Sequence, residues 1–139
     1  MIRQATRRLR GAEKGQALVE FALVAPILLF LLLGIIDLAR AWNVYQVLTD
    51  AGREGARVAV VDNGSTDVQI RDLVKQAAAR AGIEITDANI TLTEGIGRGD
   101  PTTVSIQYGH DLQWVGWALG LVGADRIINF TVVSTMRRE

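Results

Sequence analysis

A twenty-residue apolar run, Ala17 to Ile36, is broken only by Glu20, and it follows a segment with five bases in its first fourteen positions. A helix rising about 1.5 Å per residue needs about 20 apolar residues to cross the ~30 Å hydrocarbon core of a bilayer. The run meets that length. Arg3, Arg7, Arg8, Arg10 and Lys14 on one side of it place that side in the cytoplasm. Whatever domain the chain builds must therefore come from the residues after the run. They suffice for one small core.

A basic start before an apolar run has three readings. A secretory signal peptide has a shorter apolar region ending in a small-x-small site. Ala39-Arg40-Ala41 fits that loosely, but Asp37 and Arg40 crowd it. The second reading is an uncleaved single-pass anchor. The third is a prepilin-type signal, cut on the cytoplasmic face so that the helix stays in place. Only the third accounts for Glu20. A carboxylate in a lipid-facing helix is costly and is usually functional or paired. A cut between Gly15 and Gln16 makes Glu20 the fifth residue of the mature chain. The alternative is an acid tolerated because it reaches the interface.

Charge and composition narrow the function classes. The formal net charge is zero, but the bases are concentrated at the start, which leaves the rest mildly acidic. A nucleic-acid interface needs a basic patch, so none is expected. There is no cysteine, which excludes thiolate catalysis and cysteine metal sites.

The sequence Gly15-Gln16-Ala17-Leu18-Val19-Glu20-Phe21 resembles the processing site of type IV prepilins. The longer stretch from Gly15 to Ala59 is similar to the TadE/TadG-like family, pseudopilin-like proteins of the tight-adherence (Flp pilus) apparatus. The shared features are Gly15-Gln16-Ala17, Val19-Glu20-Phe21-Ala22, Pro26, the Leu-rich stretch to Leu33, Gly34, and Ala51-Gly52-Arg53-Glu54-Gly55-Ala56-Arg57. Two departures from the major Flp pilins favour a minor pilin or assembly pseudopilin. Phe21 stands where those pilins carry tyrosine, and a sizeable second region follows the helix.

The resemblance implies a role for each of these residues. Gly15 and Gln16 flank the peptidase cut. Glu20 offsets the terminal amine of a neighbouring subunit in a low-dielectric helix bundle, with Phe21 beside it. Pro26 removes a backbone hydrogen bond and kinks the helix. Gly34 permits close helix contact. The family also implies a bacterial inner-membrane protein with its C-terminal domain outside the cytoplasm. Its partners are membrane lipid, a prepilin peptidase and other pilin subunits, and it is open to incorporation in a surface pilus.

The helical pattern continues beyond the apolar run. Leu38, Ala41, Tyr45, Leu48, Gly52, Gly55 and Ala59 recur at three- and four-residue steps and predict one shared face. Asp50 with Arg53, and Glu54 with Arg57, predict surface ion pairs. Gly52, Gly55 and Ala56 admit a close partner near the helix axis. Asp37, Arg40 and Trp42 mark the outer membrane boundary, and Tyr45 suits either an interfacial belt or a core.

Further on, Asp62-Asn63-Gly64-Ser65 reads as a turn. Thr66 with Gln69 forms a capping box for a helix over 67–81, with Val68, Leu73, Val74, Ala77 and Ala78 inward and Gly82 as its stop. Strands are expected over 88–93, 102–108 and 127–136, the first two joined by the glycine-rich residues 94–101. Residues 111–122 are apolar but too short to span a bilayer. They fit a short helix covering the sheet or an exposed patch, with Trp114 and Trp117 as a partner contact if exposed.

The expected organisation is a basic leader (1–15), a transmembrane helix (16–37), its extramembrane continuation (38–61) and a small α+β domain (62–139). The fold is α+β and pilin-like: a long N-terminal helix whose outer half packs on a small antiparallel sheet with one more helix. His110 beside Asp111 is expected as a solvated turn histidine. No catalytic set, metal ligands, cofactor or small-molecule substrate is expected, and no enzyme activity. An uncleaved anchored binding module is the competing class.

Overall fold

The computed structural model describes residues 2–61, 65–95 and 99–137, with side chains of the first helix from Gly15 onward. The basic side chains from Arg3 to Lys14, the turn at 62–64 and residues 96–98 lie outside the described residues. The chain is α+β. Its order is α1 (Ile2–Val61), α2 (Asp67–Ala79), a 3₁₀ turn (Asp87–Asn89), β1 (Ile90–Thr93), β2 (Pro101–Asp111), α3 (Gly116–Leu121) and β3 (Ile127–Arg137).

α1 holds 60 residues, about 90 Å at the usual rise. It begins well before the expected Gln16, because Arg, Ala, Glu and Lys before Gly15 are good helix formers. It runs through Pro26 as unbroken helix. No residue of the apolar window that could span a bilayer is buried by the rest of the chain.

The outer third of α1 lies on the sheet. Its buried stripe is Asp37, Ala41, Leu48, Ala51, Gly52, Gly55 and Ala56, with Val44 and Val47 partly covered. Leu38, expected on this face, is exposed. The stripe is registered on Asp37 at three- and four-residue steps, and Leu38 lies one residue, roughly 100°, around the helix. Tyr45 likewise sits at the exposed edge, its ring 5.8 Å from that of Phe130.

The sheet is an antiparallel meander in the order β1-β2-β3. Val104 faces Ser134, Ile106 faces Val132, and Ile90 faces Ile106. The inward set meets α1 and α2; the outward set is mostly polar, with Val133 and Ile127 as exposed apolar members and the Thr103 and Thr135 hydroxyls 3.0 Å apart across the β2–β3 pair. Such a one-sided sheet alternates by necessity. Thr102 and Ser134 are the polar residues on the buried face of the sheet, and Ser134 stands out. Its hydroxyl is buried with no hydrogen-bond partner among the described residues, facing the helix at Gly52.

α2 starts as its capping residues dictate, with the Thr66 N–H donating to Gln69 Oε1 at 2.9 Å. Gly82 (φ +75°) ends it in a Schellman turn: Ile83 N–H to Ala78 O at 3.1 Å and Gly82 N–H to Ala79 O at 2.9 Å. The regular helix stops at Ala79, two residues short of expectation, because those turn bonds replace the helical ones. Its buried residues are Ile70, Val74 and Ala78. Val68 is exposed, being out of phase with that four-residue stripe.

Two strand expectations need correction. Residues 88 and 89 belong to the 3₁₀ turn, capped by the Asn89 side chain on the Thr86 N–H at 2.9 Å. β2 extends to Asp111, so His110 is a strand residue opposite Ile128 and not a turn residue. It is half-buried, its ring 6.5 Å from that of Phe130.

Candidate functional site

The N-terminal candidates lie on α1 with open surroundings. A Cβ built on Gly15 would meet nothing within 4 Å. Glu20 and Phe21 are exposed, and Glu20 Oε1 accepts a hydrogen bond from Gln16 Nε2 at 3.1 Å. Gln16 and Glu20 thus share one helix face, one turn apart. Leu18, Phe21, Leu23, Ile27, Leu28 and Leu31 project outward around the helix. A helix apolar on every side fits lipid or other apolar helices.

The small residues further out serve the interior of this chain. A Cβ on Gly55 would lie 2.5 Å from Val74 Cγ2, and one on Gly52 3.0 Å from Ser134 Oγ. Gly55 lets α2 approach the axis of α1, and Gly52 does the same for β3. Ala56 is fully buried between them. Gly34 differs. A Cβ there would reach Val115 Cγ2 at 3.6 Å, an ordinary contact.

That contact belongs to a cluster that the sequence left undecided. β2 and β3 pair out to Asp111 and Ile127. The residues between them fold back onto α1 just where its apolar run ends. The Leu112 N–H closes the excursion on Arg126 O at 2.9 Å. Asp37 Oδ2 accepts the backbone N–H groups of both Trp114 and Val115, each at 2.8 Å. The Asp37 residue is only 2 % exposed. Arg40 donates to Gln113 Oε1 at 2.9 Å, and its guanidinium carbon lies 5.9 Å from the Trp114 ring centroid. Hydrogen bonds to a carboxylate are worth about 1.5–3 kcal/mol each, so Asp37 is the main polar tie of this excursion.

α3 does not cover the sheet. Gly116 and Gly120 turn toward the Arg126 stem, while Trp117 (62 %), Leu121 (78 %) and Val122 (78 %) stand in the open, with Trp114 46 % exposed. A second Schellman turn at Gly123 (φ +72°) ends the helix, Ala124 N–H bonding to Leu119 O at 3.0 Å. Trp114 and Trp117 are therefore surface residues.

Charged groups elsewhere form surface pairs. Asp50 and Arg53 are 3.6 Å apart, and Glu54 and Arg57 2.9 Å apart. The Arg57 hydrogen bond, then its charge, holds the Glu54 carboxyl below its usual range. Lys75 binds Asp72 at 2.7 Å and Asp87 at 2.9 Å. Those bonds raise its ammonium pKa, the Asp72 bond most. Arg71 donates to Asp87 O at 3.0 Å and also to Ile90 O. Together these contacts tie α2 to the start of β1. Among the described residues no three His, Asp or Glu side chains group as metal ligands.

Asp37 is the site residue that the sequence reading missed. Its signal was present: Asp37 opens a stripe whose next members, Ala41, Val44 and Leu48, are apolar. Residues 15–57 match the family model described as TadE-like protein. The matched segment lies wholly within α1 and runs from the Gly15-Gln16 motif to Arg57. No curated protein and no solved structure matches the chain.

Proposed function

We propose that this chain, TadE-like over residues 15–57, is a membrane-anchored pseudopilin or minor pilin that takes part in assembling a tight-adherence pilus or a related secretion system. One observation carries the proposal. The family match begins at Gly15, and the match covers a helix with no buried residue in its membrane-length apolar window, with Glu20 one turn from Gln16. Bare apolar surface of that length must meet lipid or other helices.

A prepilin peptidase cuts between Gly15 and Gln16 and frees the Gln16 amine. Glu20 then stands where its carboxylate can neutralise the amine of an adjacent subunit. An unpaired charge in a low-dielectric bundle is expensive, so the pairing favours lateral association over isolated helices. The domain formed by α2 and the sheet is held outside the membrane and presents itself at the assembling filament. The inner-membrane setting is what the TadE-like match implies, and the charge asymmetry around the apolar run supports a cytoplasmic basic segment.

Mass spectrometry of the protein extracted from membranes with an active prepilin peptidase tests this. A chain beginning at Gln16 is expected. A retained Met1 in those cells overturns the proposal and leaves an anchored binding module.

A further inference from the structure

We propose that residues 112–126 are a membrane-seated foot, with Trp117, Leu121 and Val122 embedded in the outer interface of the bilayer that α1 crosses. The inference rests on the membrane-spanning reading of α1. It adds a second point of contact between the distal domain and the lipid, contributed by residues far along the chain from the span.

Position is the first argument. Asp37 holds the backbone at Trp114 and Val115. Asp37 immediately follows Ile36, the last residue of the apolar run. Val115 reaches down to Gly34, three residues or about 4.5 Å deeper along the helix axis. If α1 spans, the start of α3 sits at the boundary between headgroups and acyl chains.

Chemistry is the second. α3 sorts its residues by face. Its glycines lie against the Arg126 stem, and its large apolar residues point away from the protein. Leu38 and Trp42, one turn apart on α1 just past the apolar run, are also exposed near this level. Tryptophan favours the membrane–water boundary because its ring is apolar and its indole N–H is polar.

Backbone satisfaction is the third. Irregular backbone is tolerated near the hydrocarbon only where its polar groups have partners. Here the N–H groups of Trp114 and Val115 go to Asp37, that of Leu112 goes to Arg126 O, and that of Ala124 goes to Leu119 O. A loop destined for water has no need of a buried carboxylate for this purpose.

The test uses full-length protein in phosphatidylcholine–phosphatidylglycerol vesicles and the three native tryptophans. With Trp42→Phe and Trp114→Phe, Trp117 is the only indole. It is expected to lose most of its emission to lipids brominated on the acyl chain and little to aqueous iodide. A second protein, with all three tryptophans changed to Phe and Phe30→Trp, reports on the span. Quenching of the Phe30→Trp reporter by brominated lipid with Trp117 open to iodide overturns the foot and spares the span. Failure of both to meet lipid overturns the two together. Shielding of Trp117 from both quenchers, relieved on dilution of protein in lipid, assigns the patch to a second copy and overturns the lipid contact. Leu121→Asp with Val122→Asp, both at exposed positions, is expected to return Trp117 to iodide while the unfolding temperature of the domain stays unchanged.

Discussion

The Asp37 carboxylate accepts the backbone N–H of Trp114 at 2.8 Å across 77 residues of sequence. The same oxygen accepts the Val115 N–H. One acid at the end of an apolar run therefore decides where the β2–β3 excursion lies. It also ties that excursion to α1 at the end of the apolar run, beside the stripe from Ala41 to Ala56 that packs on the sheet and α2.

Asp37→Ala leaves two backbone donors without their acceptor, at a cost of about 1–3 kcal/mol for each group left unsatisfied. Hydrogen exchange at Trp114 and Val115 is expected to accelerate by at least tenfold, since 1.4 kcal/mol is a factor of about ten. Asp37→Asn keeps an oxygen at the same place and loses only the charge, so it restores part of the protection. Unchanged exchange in Asp37→Ala would show that the excursion is held by its apolar contacts alone.

Gly55→Ala sets helix propensity against packing. The methyl gains up to about 1 kcal/mol in propensity, but it would lie 2.5 Å from Val74 Cγ2. Overpacking of that kind costs about 1–3 kcal/mol, so a net loss of stability is expected in thermal unfolding. Gly34→Ala meets Val115 at an ordinary distance of 3.6 Å and is expected to be tolerated. An equal response of the two variants would contradict this account of why Gly55 is small.

Glu20→Ala removes an exposed carboxylate from an apolar helix surface. Membrane insertion is expected to be retained or improved, because the charge is the costly element there. Cross-linked oligomers with other pilin subunits are expected to fall. Gly15→Leu is expected to accumulate the uncut precursor as a larger band on a gel. Full oligomer recovery with Glu20→Ala would remove the role given to that carboxylate.

Lys75 joins α2 to the 3₁₀ turn through Asp72 and Asp87, and its pKa is raised in the folded state. The contribution is then complete below the unfolded value of about 10.4 and is lost as pH rises through the folded value. Lys75→Met is expected to lower the unfolding temperature slightly and equally at all neutral pH values. The gap to the native chain should close under alkaline conditions above that range. The effect is small because the partners are exposed to solvent. A gap that widens with pH would mean that the lysine acts through something other than its charge.

Much of the architecture was legible because it is local. The Thr66-Gln69 cap, the Gly82 stop and the period-two alternation of Val104 and Ile106 each depend on residues near one another in sequence. The Gly15–Glu20 motif was legible for the same reason. The misplacements came from questions of phase and partner. Leu38 and Val68 are apolar at plausible steps, yet the buried stripes run through Asp37 and Ile70. His110 reads locally as a turn residue, because nothing near it in sequence shows that β3 is long enough to pair with it.

By itself the sequence determined an apolar run long enough to cross a bilayer, the helix caps and the α+β class. Each of these follows from composition or periodicity within a few turns of chain. Only the tertiary structure decided what Asp37 does and that Trp117, Leu121 and Val122 face outward. Hydropathy marks a residue as apolar without saying whether protein or lipid covers it. That answer waits on which distant backbone donors come within reach of a carboxylate, and a meander returning to the foot of its own helix brings Trp114 and Val115 there.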